Sequence, residues 1–339
     1  MQYVDRREKT LSDWPHVLIT VVVCLLCWIA CYFFSTGFPL TGNDAFMPFG
    51  GDMNKWLNNK TVIYASGLLL MILTAFIIQR INDIEMLISE RTRLVFLFYI
   101  LLTSTNLRII PFNNGTIVLL CLVCMINELF KTFQSPEDKG KLFNAGVCIG
   151  VASLFVPQTL WFVLLLWLGM YQLFSLNYRS FFSSLIGVLS IFWFVLTWSV
   201  WKHDFSIFRN VYISLTDIKL FAVFHSMRYY HIGFIFIAVM MIPLMLNIKM
   251  DTINNRMRVR QMLSFLLNMS VMSCILIFLY GRNANVFISV LYLPLSVLLA
   301  YFFENMRKRF YFIFYYFILA LCFSSFIVRL WNYSLNTVT

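Results

Sequence analysis

VLITVVVCLLCWIACYFF, residues 17–34, decides the architecture of this chain. The run holds no charged residue. As a helix it is about 27 Å long, close to the hydrocarbon thickness of a bilayer. Arg6, Arg7 and Lys9 precede it, which is the charge order of a signal peptide. The apolar run is long for a signal sequence and no small-x-small cleavage site follows it, so an uncleaved signal anchor is expected.

Runs of this kind recur along the whole chain. Hydrophobic residues make up 60% of it and charged residues 12%. The stretches without a long apolar run reach only about 30 residues, well below the size of an independent domain. Residues 1–339 therefore read as a single integral membrane domain, an all-α polytopic bundle. Eleven spans are predicted, at 17–34, 61–79, 94–107, 116–130, 142–156, 158–174, 181–201, 232–248, 261–280, 286–303 and 310–328. Breakers mark two of the connections, Pro111-Phe112-Asn113-Asn114-Gly115 and Pro157-Gln158.

The formal charge is +11, which in a soluble protein would point to nucleic acid. Here no soluble module rich in Arg and aromatic residues exists to carry that reading, and no nucleic-acid partner is expected. Basic residues beside apolar spans instead orient them and meet anionic headgroups. With the N-terminus inside, most of the 26 Lys and Arg fall on the inner side, among them Arg80, Arg91, Arg93, Lys131, Lys139, Lys141, Arg256, Arg258 and Arg260. This bias predicts a multi-pass membrane protein with its N-terminus inside; the expected location is the bacterial inner (plasma) membrane. Reading 142–174 as one tilted crossing would weaken the bias, so a hairpin about Pro157 is the better threading.

The eight cysteines, Cys24, Cys27, Cys31, Cys121, Cys124, Cys148, Cys274 and Cys322, all fall inside apolar runs. Their C-x-x-C spacings resemble metal or redox motifs. Zinc would need further ligands nearby, and none are present, so the cysteines read as small packing residues. There is no P-loop, GxSxG or HExxH. No Asp, Glu, Lys or Arg sits near the middle of a predicted span, which disfavours a proton- or ion-coupled transporter.

The polar chemistry gathers in two predicted outer segments. Residues 35–60 hold Asp44 and Asp52 among glycines and prolines that fix turns. A carboxylate at a membrane surface can accept a proton from an incoming hydroxyl or bind a divalent cation; turn and cap roles in a solvated loop are the alternative. Residues 202–231 carry apolar residues at helical intervals, with His203, Asp204, Arg209, Asp217, Lys219, His225, Arg228 and His231 between them. This predicts an amphipathic helix lying in the interface. His225 and His231 are candidate acid–base groups, and Arg228 is a candidate partner for phosphate. Arg108, Arg209, Arg282 and Arg329 are also expected outside. Arg108, Arg282 and Arg329, close to span ends, either snorkel to headgroups or, where several of the outer arginines converge, these bind an anionic lipid head through paired guanidinium hydrogen bonds.

The rhythm of residues 140–198 resembles a known family. It runs Lys141-Leu142-Phe143-Asn144-Ala145-Gly146, then Gly150 to Pro157, an apolar span, Asn177-Tyr178-Arg179 and a further span with Gly187. This is similar to the central hairpins of C-type membrane glycosyltransferases that use polyprenyl-phosphate sugars, and to uncharacterised polytopic membrane proteins of Bacteroidota. The resemblance implies a catalytic acid in the first outer loop, where Asp44 and Asp52 stand, and outer arginines such as Arg108, Arg228 and Arg282 on the donor phosphate. The chain departs from the pattern in lacking a paired acidic motif there and a soluble C-terminal domain. The expected partners are membrane lipid and a polyprenyl-linked sugar. Two other readings stay open: a flippase or transporter with a polar path along Ser104, Asn106 and Gln158, and a non-catalytic membrane scaffold.

Overall fold

The computed structural model of the chain describes residues 14–34, 59–88, 93–106, 109–110, 112–135, 138–203, 205–218, 257–304, 314–327 and 330; at 14–16, 207 and 282 it describes the backbone alone. The described chain is helical. In order come α1 (Trp14–Phe34), α2 (Lys60–Glu85), α3 (Leu94–Ser104), α4 (Asn114–Phe130) and α5 (Lys139–Phe155), then a 3-10 turn (Pro157–Trp161) and α6 (Phe162–Gln172). After these come α7 (Tyr178–Lys202), α8 (Ser206–Thr216), α9 (Met257–Leu279), a second 3-10 turn (Gly281–Asn283), α10 (Ala284–Glu304) and α11 (Phe314–Ile327).

Five of these helices, α1, α2, α7, α9 and α10, are long and apolar enough to cross a membrane, the mark of a helical membrane protein. A helix is the structure such sequences must take, because lipid offers no partner to a bare backbone N–H or C=O. Every predicted span overlaps one of the helices except 232–248, which lies outside the described residues.

The helix ends have local causes. The Asn113 side chain accepts a hydrogen bond from the Thr116 N–H at 3.0 Å and opens α4. Asn177 accepts one from the Tyr178 N–H at 2.8 Å and opens α7. Met86 and His203 close α2 and α7 in the left-handed region, at φ 50° and 52°.

α10 forms the axis of the bundle. It is almost wholly enclosed, packed by α3, α4 and α9, with α11 joined through Phe98, Phe303, Phe314 and Tyr315. Pro294 interrupts it in its middle and leaves the Val290 carbonyl without its helical donor. α3 is buried along its length apart from Phe96, which explains how so short an apolar helix is accommodated: protein covers it. α1 lies on α3, and Thr20 shares a hydrogen bond with Tyr315 of α11.

Residues 139–173 form a hairpin. α5 leaves from beside Lys131, whose carbonyl accepts from Lys141 Nζ at 3.4 Å. The chain turns at Pro157 and comes back until Leu173 O accepts from the Gln134 N–H at 3.0 Å. α7 then runs alongside α5 in the same direction, and Gly146 and Gly150 of α5 meet Ser184, Gly187, Val188 and Ile191 of α7. Small residues let the two backbones approach, the usual means of holding helices together where lipid supplies no hydrophobic drive.

Candidate functional site at one end of the bundle

The C-terminal end of α1, the N-terminal end of α2, the α3–α4 connection, the Pro157 turn, α8 and the α9–α10 connection all gather at one end. Lys60 Nζ donates to the Tyr32 carbonyl at 2.5 Å and stands 4.8 Å from the Tyr32 ring centroid. Gly67 admits the α3–α4 connection: a Cβ there would lie 2.8 Å from Phe112 N and 3.1 Å from Ile110 O. Asn106 Nδ2 donates to Tyr292 of α10 at 3.3 Å, and Gly115 lies against Val286.

Two buried polar clusters tie this end together. In the first, Gln158 Nε2 donates to Ser214 Oγ at 2.7 Å and to the Ser214 carbonyl at 3.1 Å, while Asn283 Nδ2 donates to Gln158 Oε1 at 3.1 Å. Beside it, Trp161 Nε1 donates to Tyr280 OH at 3.0 Å, and that hydroxyl donates to Leu215 O at 2.8 Å. These bonds clamp α8 onto both 3-10 turns. Pro157 explains the arrangement: it breaks the helix, and the polar Gln158 exposed by the break takes partners from neighbouring segments.

In the second cluster, Trp28 Nε1 donates to Ser104 Oγ at 3.3 Å, and Thr74 shares a hydrogen bond with Tyr99 OH at 2.9 Å. Trp28, Thr74 and Tyr99 line a narrow cleft with Gly67, Met71 and Thr103. About 10 Å³ of it is open to the centre of a water molecule, room for about one water. Ser104, Asn106 and Gln158 are all buried, and each turns to a different partner.

Of the residues nominated from sequence, Asp44, Asp52, Arg108, His225, Arg228 and His231 lie outside the described residues, and Arg282 is described by its backbone only, in the second 3-10 turn. The described flanks of Asp44, Asp52 and Arg108 fall at this one end: Phe34 and Asn59 bracket the segment of the two aspartates, and Asn106 and Ile109 bracket Arg108; of the segment with His225, Arg228 and His231, Ile218 lies at this end and Met257 at the other. The predicted amphipathic segment 202–231 contains α8. In it Ser214 is buried, while Arg209, Tyr212 and Thr216 are exposed.

No described group of three or more His, Cys, Asp or Glu is arranged to hold a metal ion. All eight cysteines are free, half of them buried.

The opposite end is charged. Glu85 of α2, its side chain 4% exposed, pairs with Arg258 of α9, whose guanidinium also stands 5.6 Å from the Phe133 ring centroid. Lys131–Glu128 and Lys141–Asp138 pair at 2.6 Å each. In the sequence the Glu85–Arg258 pair has no signal beyond an acid and a base each near a helix end.

No protein-family model matches the chain, and no curated protein or solved structure does.

Proposed function

We propose that this is a multi-pass inner-membrane protein of the cell envelope, crossing eleven times with its N-terminus inside, that transfers sugar from a polyprenyl-phosphate carrier at the outer face. The observation that carries the reading is the gathering of the flanks of Asp44, Asp52, Arg108 and Arg282 at one end of the bundle. One of the two aspartates would take the proton from the acceptor hydroxyl, with Arg108, Arg228 or Arg282 neutralising the departing phosphate. His225 or His231 would serve proton transfer there.

The threading draws support from two features. The hairpin about Pro157 returns the chain to its starting end. Ile218 follows α8 at one end, while Arg258, at the start of α9, meets Glu85 at the other, which favours a crossing at 232–248. The transporter reading finds less support, since Ser104, Asn106 and Gln158 are spent on separate structural bonds.

The test is an Asp44→Asn, Asp52→Asn double variant, expressed at normal level and assayed for assembly of envelope glycan in cells. Loss of product is expected. Unchanged glycan in the double variant would remove the pair from the chemistry.

A further inference from the structure

α6 ends on an aromatic residue where a glycine is usual. Leu173 closes the helix, and Phe174 follows it in the left-handed region at φ 57°. The Ser175 N–H donates to the Met170 carbonyl at 3.0 Å, and the Phe174 N–H donates to the Tyr171 carbonyl at 3.3 Å. This is the Schellman pattern, whose left-handed residue is most often glycine because a Cβ there crowds the backbone. The turn is held from α4: the Gln134 N–H donates to the Leu173 carbonyl, and Thr132 Oγ1 donates to Ser175 Oγ at 3.3 Å. So fixed, the backbone carries the Phe174 side chain outward, and it stands 51% exposed. Met86 repeats the device at the same, charged end of the bundle, closing α2 at φ 50° with its side chain exposed. Strain of this kind persists where the side chain it places has a role.

Tyr171, Leu176 and Tyr178 stand exposed around Phe174. A tyrosine has an apolar ring and a polar tip, which suits it to the boundary between headgroups and acyl chains. Arg179 Nε donates to Tyr178 OH at 2.8 Å, and its guanidinium stands 5.4 Å from the ring centroid. α7, which begins here, says what covers the cluster. No charged residue occurs between Arg179 and Lys202. The exposed side of the helix runs on from Tyr178 through Phe182, Ile186 and Leu189 at helical spacing. At the far end stands a second aromatic–cation pair, with Lys202 Nζ 4.8 Å from the Trp198 ring centroid. Tyr178 and Trp198 are about 30 Å apart along the helix, the thickness of a bilayer's hydrocarbon layer. A bilayer accounts for that spacing, because aromatic and basic residues favour both of its boundaries. We propose that Phe174, with Tyr171, Leu176 and Tyr178, seats this end of the bundle in the headgroup boundary of a phospholipid bilayer. The contact stands apart from the sugar-transfer reading and needs only that α7 crosses a membrane.

The test uses the full chain in phosphatidylcholine vesicles. Photoreactive p-benzoylphenylalanine replaces Phe174 and, in a separate preparation, Leu189, the reference within the apolar stretch. After irradiation the adducts are read by mass spectrometry. Lipid adducts at Phe174 are expected at a yield within about twofold of that at Leu189. Lipid at the reference position with none at Phe174 would overturn the proposal, and so would a protein adduct at Phe174, to this chain or another. Tyr178 takes the label if the chain labelled at Phe174 does not assemble, and the same outcomes decide. Phe174→Asn reads the ring against the strain. Asparagine tolerates the left-handed region, so an idle ring would make this variant melt higher than the parent. In vesicles it is expected to melt a few degrees lower, with Phe174→Trp unchanged. A melting temperature that holds or rises in Phe174→Asn would show that the ring has no seat in the bilayer.

Discussion

Gly146 of α5 and Gly187 of α7 face each other with no room for a methyl group between them. A Cβ on Gly146 would overlap the Ser184 carbonyl oxygen and stand 3.3 Å from the Gly187 Cα; one on Gly187 would overlap the Phe143 carbonyl oxygen. Both obstacles are backbone, so neither can swing aside as a side chain does. This contact fixes the hairpin to the helix that follows it.

Gly146→Ala and Gly187→Ala should each therefore destabilise the protein by about 1–3 kcal/mol, the cost of overpacking a close helix pair. Gly140→Ala is the control. Its added Cβ meets nothing within 4 Å, and the change should be neutral or stabilising by about 0.5–1 kcal/mol. Thermal unfolding in detergent reads all three; equal melting temperatures would mean that the α5–α7 approach is looser than the structure has it.

Gln158→Leu should release α8. The variant loses the bonds to Ser214 and Asn283, at a cost of about 1–3 kcal/mol for each buried group left unpaired. Amide hydrogen exchange should rise across Ser206–Thr216 while α3 and α10 stay protected. Exchange rising equally everywhere would show a general loss of stability and no clamp.

The Glu85–Arg258 pair should behave asymmetrically. Arg258→Ala leaves a carboxylate buried without its cation and is expected to cost more than Glu85→Gln. Adding Glu85→Leu to Arg258→Ala should recover most of the loss, because an apolar residue needs no partner. A denaturation double-variant cycle with no coupling between the two positions would show that the pair contributes nothing.

Labelling can test the threading. α7 runs from Tyr178 to Lys202, so cysteines placed at Arg179 and Lys202 should fall on opposite faces of the membrane. In intact spheroplasts a membrane-impermeant maleimide should modify Lys202→Cys and spare Arg179→Cys. Equal labelling of both would contradict the eleven-span arrangement.

Hydropathy made the helices legible because a segment at membrane depth is apolar over its whole length whether it faces outward, as residues 17–34 largely do, or is enclosed by its neighbours, as residues 286–303 are. It read α2 as ending at 79, whereas the helix continues to Glu85. Gln79, Asn82 and Asp83 are polar enough to end an apolar run, yet they do not break a helix, and the turn comes only where Met86 goes left-handed. The role of Gln158 was not legible. A lone glutamine after Pro157 reads equally as a cavity wall, and its true partners, Ser214 and Asn283, are 56 and 125 residues further along the chain. The nominated aspartates, histidines and arginines rest on sequence, with their flanking helix ends supplied by the structure. Loop side chains converge or diverge through contacts that carry no periodic signal.

The enclosure of α10 has a consequence for biogenesis. Residues 284–304 are synthesised after α3, α4 and α9, yet they fill the axis around which those helices are arranged. Until they emerge, the earlier helices surround an unfilled slot, and a nascent chain stalled before Ala284 would present that slot to lipid and to membrane proteases. The axis of the bundle is thus completed only after the helices that surround it have been made.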